Sequence, residues 1–243
     1  MKLSEDFTTW SKIRDIGRWH VNQFVRQAAA CLPSGVRVLD AGAGECAYKK
    51  LFAHCRYVGV DLAVGDTSWN YFNLDVITSL SRLPFPDATF DAVLSTQTLE
   101  HLDDPLAGMY EMHRILKPGG KLFLTAPMAH MEHQAPYDFF RYTSYGLRSL
   151  AQRAGFAPEN IAVTPLGGMF TRWAYELPNM LSLFPSANLP PLQKGLVRLL
   201  KAGLLVLILP MQLLLLALDF LDRRREYPFG WSMIAIKANE DPR

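Results

Sequence analysis

The chain has 243 residues, 49% of them apolar, with a formal net charge of +2, which suits one α/β domain with an elaboration. Near-balanced charge argues against a nucleic-acid partner held by bulk electrostatics, for which a marked basic excess is expected. Cys31, Cys46 and Cys55 are odd in number and lack paired C-x-x-C spacing, so they read as reduced thiols, neither a disulfide frame nor a zinc site.

Met1–Asp6 carries no apolar stretch of the secretory kind, and a cytoplasmic location is expected. Ile13, Ile16, Val21, Phe24 and Val25 recur at helical spacing and predict a helix from Trp10 to Cys31. Trp10, Arg14, Arg18, Trp19 and His20 on this helix either lie over a ligand mouth or form a packing or solvated face.

An apolar strand follows at Val36–Asp40 and runs into Gly42-x-Gly44; a helix is expected from Glu45 to Ala53 and a second strand at Tyr57–Asp61. Glycine lets the backbone turn sharply and approach a ligand with no Cβ in the way. An acid ending the next strand is placed to accept hydrogen bonds from ribose hydroxyls. Gly42-x-Gly44-x-x-Ala47 also satisfies the loose dinucleotide fingerprint. Asp40 separates the two readings. Its carboxylate would repel a pyrophosphate, whereas S-adenosylmethionine brings an ammonium group and a positive sulfonium. The charge favours S-adenosylmethionine over a nicotinamide dinucleotide.

Strand three is expected at Tyr71–Asp75. The segment between it and strand two is shorter than a full helical crossover of about a dozen residues, so this crossover is truncated. Leu83-Pro84-Phe85-Pro86-Asp87-Ala88 marks a turn into strand four at Asp91–Ser95. Thr96–Asp104 reads as a polar loop, and Pro105 as a first-turn residue of a helix to Leu116. Lys117-Pro118-Gly119-Gly120 ends that helix before strand five at Lys121–Thr125. Such alternation means a parallel, doubly wound sheet.

Val38–Gly44, Val58–Asp61, Leu83–Asp91, Leu99-Glu100-His101 and Leu116–Gly120 stand in an order and spacing that resembles the class I S-adenosylmethionine-dependent methyltransferases, specifically their type 11 branch. The resemblance covers Leu32 to Ala157 well and the C-terminal strand loosely. It implies a Rossmann-like α/β fold, a doubly wound seven-stranded sheet of order 3-2-1-4-5-7-6 with strand seven antiparallel. It also implies roles. Gly42 and Gly44 would line the methionine portion with Asp40 near its ammonium group. Asp61, with Leu62 beside it, would hold the ribose. Asp75 would face the adenine amino group with the Val76 backbone alongside, unless Asp75 is a cap or turn residue. Ser95, Thr96 and Gln97 would border the cofactor near its methyl group.

Pro127–Thr143 leaves the carboxyl edge of strand five, where ligands bind in such sheets, and is dense in aromatic and titratable residues. It resembles a stretch in methyltransferases of bacterial cell-surface polysaccharide and glycolipid clusters. If the acceptor is a hydroxyl, a base must take its proton, and histidine suits neutral pH. His133, His130 and His101 are the candidates, each with a structural hydrogen-bonding role as the alternative. Tyr137, Asp138, Arg141 and Tyr142 are candidate substrate-binding residues; Asp138 and Arg141 equally fit a pair that braces the loop. His130-x-x-His133 with Glu132 matches no helical zinc pattern, and no third ligand has recognisable spacing. No metal is expected.

Thr143–Gly155 reads as a helix and Asn160–Leu166 as strand six. The last strand comes only at Gly230–Lys237, after an uncharged run, Ala202–Leu218. As a helix this run is about 26 Å long, short of a ~30 Å hydrocarbon core, with Pro210 and Gln212 at its middle. Lys194, Arg198 and Lys201 fall on one helical face, and Arg223-Arg224-Arg225 follow the run. Basic flanks on both sides fit an interfacial or re-entrant element at residues 194–225 pressed on an anionic leaflet; a self-association face giving a homo-oligomer, or a buried hairpin, are the alternatives.

The division expected is a helical cap (1–31), a cofactor-binding core (32–168), an apolar helical insertion (169–227) and a last strand with tail (228–243). The function implied is an S-adenosylmethionine-dependent methyltransferase, peripheral on the inner face of the membrane. Its acceptor would be a glycan, lipid-linked saccharide or other membrane-associated small molecule, methylated on oxygen. A quinone or other lipid is the second acceptor class, and a catalytically silent cofactor-binding module the rival class.

Overall fold

The computed structural model describes residues 13, 15–65, 68–184 and 189–239. β1 (Arg37–Ala41) pairs in parallel with β2 (Arg56–Asp61) on one side and β4 (Phe90–Thr96) on the other. β3 (Val76–Ile77) extends the sheet beyond β2, and β5 (Leu116–Pro127) lies parallel to β4. β7 (Gly230–Ile236) runs antiparallel to β5 and separates it from β6 (Ile161–Leu166). The order β3-β2-β1-β4-β5-β7-β6 is the one the resemblance implies.

The central strands are apolar almost throughout because helices cover parallel sheets on both faces. Leu39, Val60, Val93, Leu122 and Leu124 are fully buried in one cluster with Met109, Met112 and Ile115 of α2 (Pro105–Ile115) and Leu147 of α3 (Ser144–Arg153). Across the sheet, Phe24 of α1 (Ile16–Ala30) meets Phe123 edge-on. Asp104 caps α2 by accepting from the Ala107 N–H at 3.0 Å, with Pro105 in the first turn. Thr143 caps α3 through the Gly146 N–H.

The Leu83–Asp91 turn is held by one arginine. Arg114 donates to the carbonyls of Leu83 and Phe85 and to the carboxylates of Asp87 and Glu111, while Glu111 accepts from the Leu83 N–H. These partners raise the Arg114 pKa and lower that of Glu111.

Strand five is longer than expected: β5 begins at Leu116, so Lys117–Gly120 forms an irregularity inside it instead of separating it from α2. Two further expected elements differ. The helix from Glu45 to Ala53 is absent: the segment is a series of turns closed by a 3-10 turn at Lys49–Phe52. Gly44 and Cys46 both take left-handed backbone (φ +51° and +57°), which no α-helix continues through. Strand three begins at Val76, because Asn70 accepts from the Phe72 N–H and closes Tyr71–Asn73 into a 3-10 turn. Asp75 therefore precedes β3 rather than ending it.

The chain divides into two compact units: one built from Val21–Thr164 with the segment from Gly230 onward, the other containing Pro165–Phe229 with the segment up to His20. Residues 21–31 thus belong with the sheet and not to a separate cap. Within the second unit, α4 (Met169–Glu176) and a 3-10 segment (Leu177–Leu183) lead to α5 (Pro191–Leu218). α4 and α5 pack antiparallel. Asp219, just past α5, accepts from the Gly168 and Thr171 N–H groups at the start of α4, and Gln212 donates to the Ala174 carbonyl.

α5 is longer than the uncharged run, since Pro191 starts it and the turns bearing Lys194, Arg198 and Lys201 are helical. Its 28 residues span about 42 Å, of which the uncharged run Ala202–Leu218 keeps the length of about 26 Å read from sequence. Trp10 and Arg14 lie outside the described residues. Arg18 pairs with Asp15 at 3.3 Å, and His20 packs against Trp19 and Phe229, so these three are engaged in local contacts.

Candidate active site

β1, β2 and β4 all end at one edge, and the glycine turn opens there. Gly42 has φ +84°, and a Cβ on it would sit 2.2 Å from the Thr98 side chain. A Cβ on Gly44 would meet the Trp69 ring at 3.2 Å. Thr98 and Trp69, neither singled out from the sequence, therefore close over the turn; a threonine and a tryptophan in loops carry no periodic signal.

Asp61 bridges the turn to the end of β2. Its two oxygens accept from the Gly44 N–H at 2.9 Å and the Ala63 N–H at 2.8 Å. Each oxygen keeps a second acceptor direction, so ribose hydroxyls remain compatible with it. Leu62 is half exposed beside it. Asp75 accepts from the Gly59 N–H at 2.8 Å and faces Lys49 at 3.5 Å. Gly59 lies two residues before Asp61 in β2, so Asp75 fastens the segment before β3 to β2. Val76 opens β3 and pairs with Val60. Ser95 is buried and donates to the Ala41 carbonyl, locking β1 to β4. Thr96 ends β4, and Gln97, at φ +49°, donates from Nε2 to the Thr125 hydroxyl.

Asp40 decides which ligand the turn suits. It is fully buried; Oδ2 accepts from the Tyr57 hydroxyl at 2.6 Å, and Oδ1 has no partner. Burial pushes its pKa up to about 7, against the lowering effect of the Tyr57 hydrogen bond and with a further rise from Asp61. A buried acceptor lacking a donor costs free energy. An ammonium group satisfies it and a pyrophosphate does not, so these residues fit an S-adenosyl amino acid.

Beyond β4, a 3-10 turn at Leu99–His101 places Glu100 and His101 beside the loop that follows β5. The Phe139 and Phe140 N–H groups donate to the Glu100 carbonyl. His101 Nδ1 bonds the Tyr137 carbonyl, which leaves Nε2 near Gln134 at 3.4 Å and Glu100 at 3.9 Å. His133 directs Nδ1 at the Met131 carbonyl (3.1 Å) and Asp138 (3.3 Å). The His133 ring lies 4.8 Å from His101 and 4.4 Å from the exposed His130, whose Nδ1 bonds the Met131 carbonyl. The three candidate histidines thus form one patch. Burial lowers the pKa of His101 and of His133, the latter helped by its histidine neighbours. Both are neutral imidazoles near pH 7.

Glu100, not singled out from the sequence, is 1% exposed, and neither carboxyl oxygen has a hydrogen-bond partner. Desolvation pushes its pKa up to about 8, with Arg141 the main opposing charge.

Three candidate substrate residues are instead structural. Arg141 uses all five of its N–H groups: two on Asp138, the others on the carbonyls of His130, Phe140 and Met131. Asp138 also accepts from the His133 N–H, and its pKa is held well below the usual range, chiefly by Arg141. Tyr142 is buried and pinned, its hydroxyl donating to the Leu99 carbonyl and its own carbonyl accepting from the Trp231 indole. Tyr137, with Phe139 and Phe140 nearby, stays exposed toward solvent.

Comparison with known proteins agrees with this geometry. A family model described as a methyltransferase domain matches residues 39–124. The chain is similar to a probable S-adenosylmethionine-dependent methyltransferase of Mycolicibacterium smegmatis, 34% identical over 45% of this chain and 44% of that one. It is also similar to the demethylmenaquinone methyltransferase of Renibacterium salmoninarum, 32% identical over 59% of this chain and 60% of the relative. The matches thus span roughly half the length of each of these two relatives. Among solved structures, a S-adenosylmethionine-dependent methyltransferase from Archaeoglobus fulgidus superposes with a TM-score of 0.57 at 15% identity, covering 96% of this chain and all of that one; this shows the fold. Residues 39–124 thus match a methyltransferase domain, and the sheet order and glycine turn around them are those of the class I S-adenosylmethionine-dependent methyltransferases, whose cofactor is S-adenosylmethionine.

Proposed function

We propose that the protein transfers a methyl group from S-adenosylmethionine to an acceptor presented at a membrane surface, the acceptor atom being a hydroxyl oxygen of a glycan or lipid-linked saccharide. The observation that carries the reaction class is the orphaned Asp40 oxygen beside the Gly42–Gly44 turn. When bound, the cofactor supplies a methyl group on a positively charged sulfur. The chain's own residues then do three things. Asp40 and Asp61 orient the cofactor, Trp69 and Thr98 cover the turn against water, and one imidazole of the patch formed by His101, His133 and His130 accepts a proton from the acceptor. Positioning and water exclusion supply much of the rate in such a displacement.

The membrane part rests on α5. Leu192, Leu196, Leu199, Val206 and Leu207 are each more than 60% exposed, and only 6% of its most apolar window is buried. The start of α4 and the end of α5 meet at the Asp219–Gly168 contact, which suits an α4–α5 hairpin that dips into one leaflet from the cytoplasmic side. The rival occupant is a second copy of this chain.

A quinone is the second acceptor reading, favoured by the demethylmenaquinone methyltransferases among the relatives. Incubating the protein with methyl-labelled cofactor and separated lipid and glycan extracts tests both. Label in base-stable saccharide methyl ethers is the expected result; label confined to the quinone fraction transfers the assignment to the second reading. Cofactor binding without label in any fraction leaves the binding-module class.

A further inference from the structure

Glu100 is an unexplained group. A carboxyl only 1% exposed and with no hydrogen-bond partner is strongly disfavoured unless a cation or a proton compensates it, and the cation that acts on it, Arg141, has committed every N–H elsewhere. One Glu100 oxygen, one His101 nitrogen and one His133 nitrogen all lie within 4.8 Å of one another. The two histidines are arranged as metal ligands are. Each points Nδ1 at a backbone carbonyl, with Asp138 also behind His133, which fixes the tautomer and turns Nε2 away from the carbonyl; a ligand on His101 Nε2 would displace the long 3.4 Å contact from the Gln134 amide.

We propose that Glu100, His101 and His133 form a binding site for a divalent first-row transition ion. Two imidazoles and one carboxylate are borderline donors that select zinc, cobalt or manganese over magnesium, which prefers oxygen ligands. Three protein ligands with a position left open is the pattern of a catalytic rather than a structural ion. Bonds of about 2.1 Å bring the donors together by roughly an ångström, a movement within the side-chain torsions of Glu100 and His133. An acceptor oxygen that reaches the ion becomes more acidic. His130, outside the triad, is then the imidazole left to take its proton. The ion site stands on its own geometry; this last role rests on the proposed methyl transfer to a hydroxyl.

The sequence concealed the triad because the His130-x-x-His133 spacing suggested Glu132 as its companion. The fold instead brings Glu100 and His101 from the loop after β4.

Cobalt(II) and zinc(II) titration of the full chain tests the site. Cobalt is expected to bind as a single equivalent with visible d–d absorption and to be displaced by zinc. Glu100→Gln keeps the shape of the side chain and removes its charge. It should weaken cobalt binding by at least about tenfold while cofactor affinity by calorimetry and the metal-free melting curve stay as in the wild type. Should Glu100→Gln fail to fold, His133→Gln carries the same test. His54→Gln, a surface histidine, should bind like the wild type. No cobalt binding at millimolar metal, or equal binding by the wild type and the triad variants, overturns the proposal. Because cofactor binding is read separately, its failure would point to the methyltransferase reading and not to the ion site.

Discussion

At the scale of single residues, Asp40 couples the turn to pH. Its folded pKa, about 7, lies above the 3.8 usual for an aspartate, so the folded state holds this proton more tightly than the unfolded chain. Stability is therefore highest at low pH with respect to this group and falls as pH rises from about 4 through 7, by on the order of 4 kcal/mol at full effect. Asp40→Asn removes this pH dependence. The metal-free, cofactor-free variant should show a higher urea midpoint than the wild type at pH 8 and little difference near pH 4. It should also bind S-adenosylmethionine more weakly at pH 8. Equal midpoints at both pH values would show that the Asp40 carboxyl is not desolvated as its burial implies.

Between residues and the sheet stand the connecting elements, and here one side chain does the fastening. Arg114 satisfies two carbonyls of the Leu83–Asp91 turn that the two prolines leave without helix or sheet partners. Arg114→Ala should cost about 2–3 kcal/mol, the sum of lost charge-assisted bonds and an unpaired Glu111. A urea midpoint shift corresponding to less than 0.5 kcal/mol would refute the fastening role. Strands four, six and seven and the helices after Pro105 and Thr143 were legible because apolar periodicity, proline and capping residues agree on their limits, whereas Lys117–Gly120 read as a break and lies inside β5. The segment after the glycine turn was not. Its composition is compatible with a helix, and only the tertiary bonds that hold Gly44 and Cys46 in left-handed backbone prevent one. Asp75 was misplaced for a related reason: Asn70 closes a turn that strand propensity does not register.

For the whole molecule, the prediction concerns α5. Leu199 and Val206 are 73% and 72% exposed, so charging them removes no core. The wild type should float with vesicles rich in anionic phosphatidylglycerol, and Leu199→Glu with Val206→Glu should leave it in the soluble fraction. Reversal of Lys194, Arg198 and Lys201 to Glu should weaken flotation most at low salt, since leaflet attraction is worth roughly 1 kcal/mol per basic residue. Equal flotation of the wild type and the double variant, or a concentration-dependent dimer that the double variant abolishes, would give the face to a second copy of the chain.

By itself the sequence determined the strand order expected from its resemblance, the cofactor class and the presence of an apolar insertion. Those features rest on local signals: period, glycine at a turn, and the sign of one charge at Asp40. The tertiary structure decided what depends on residues far apart in the chain. It turned Asp138, Arg141 and Tyr142 from substrate candidates into fastenings of the loop, because each is saturated by partners the sequence does not place nearby. It also set Glu100 and His101 against His133, a meeting of two loops that no spacing rule encodes, since loop contacts are fixed by the sheet edge that carries them both.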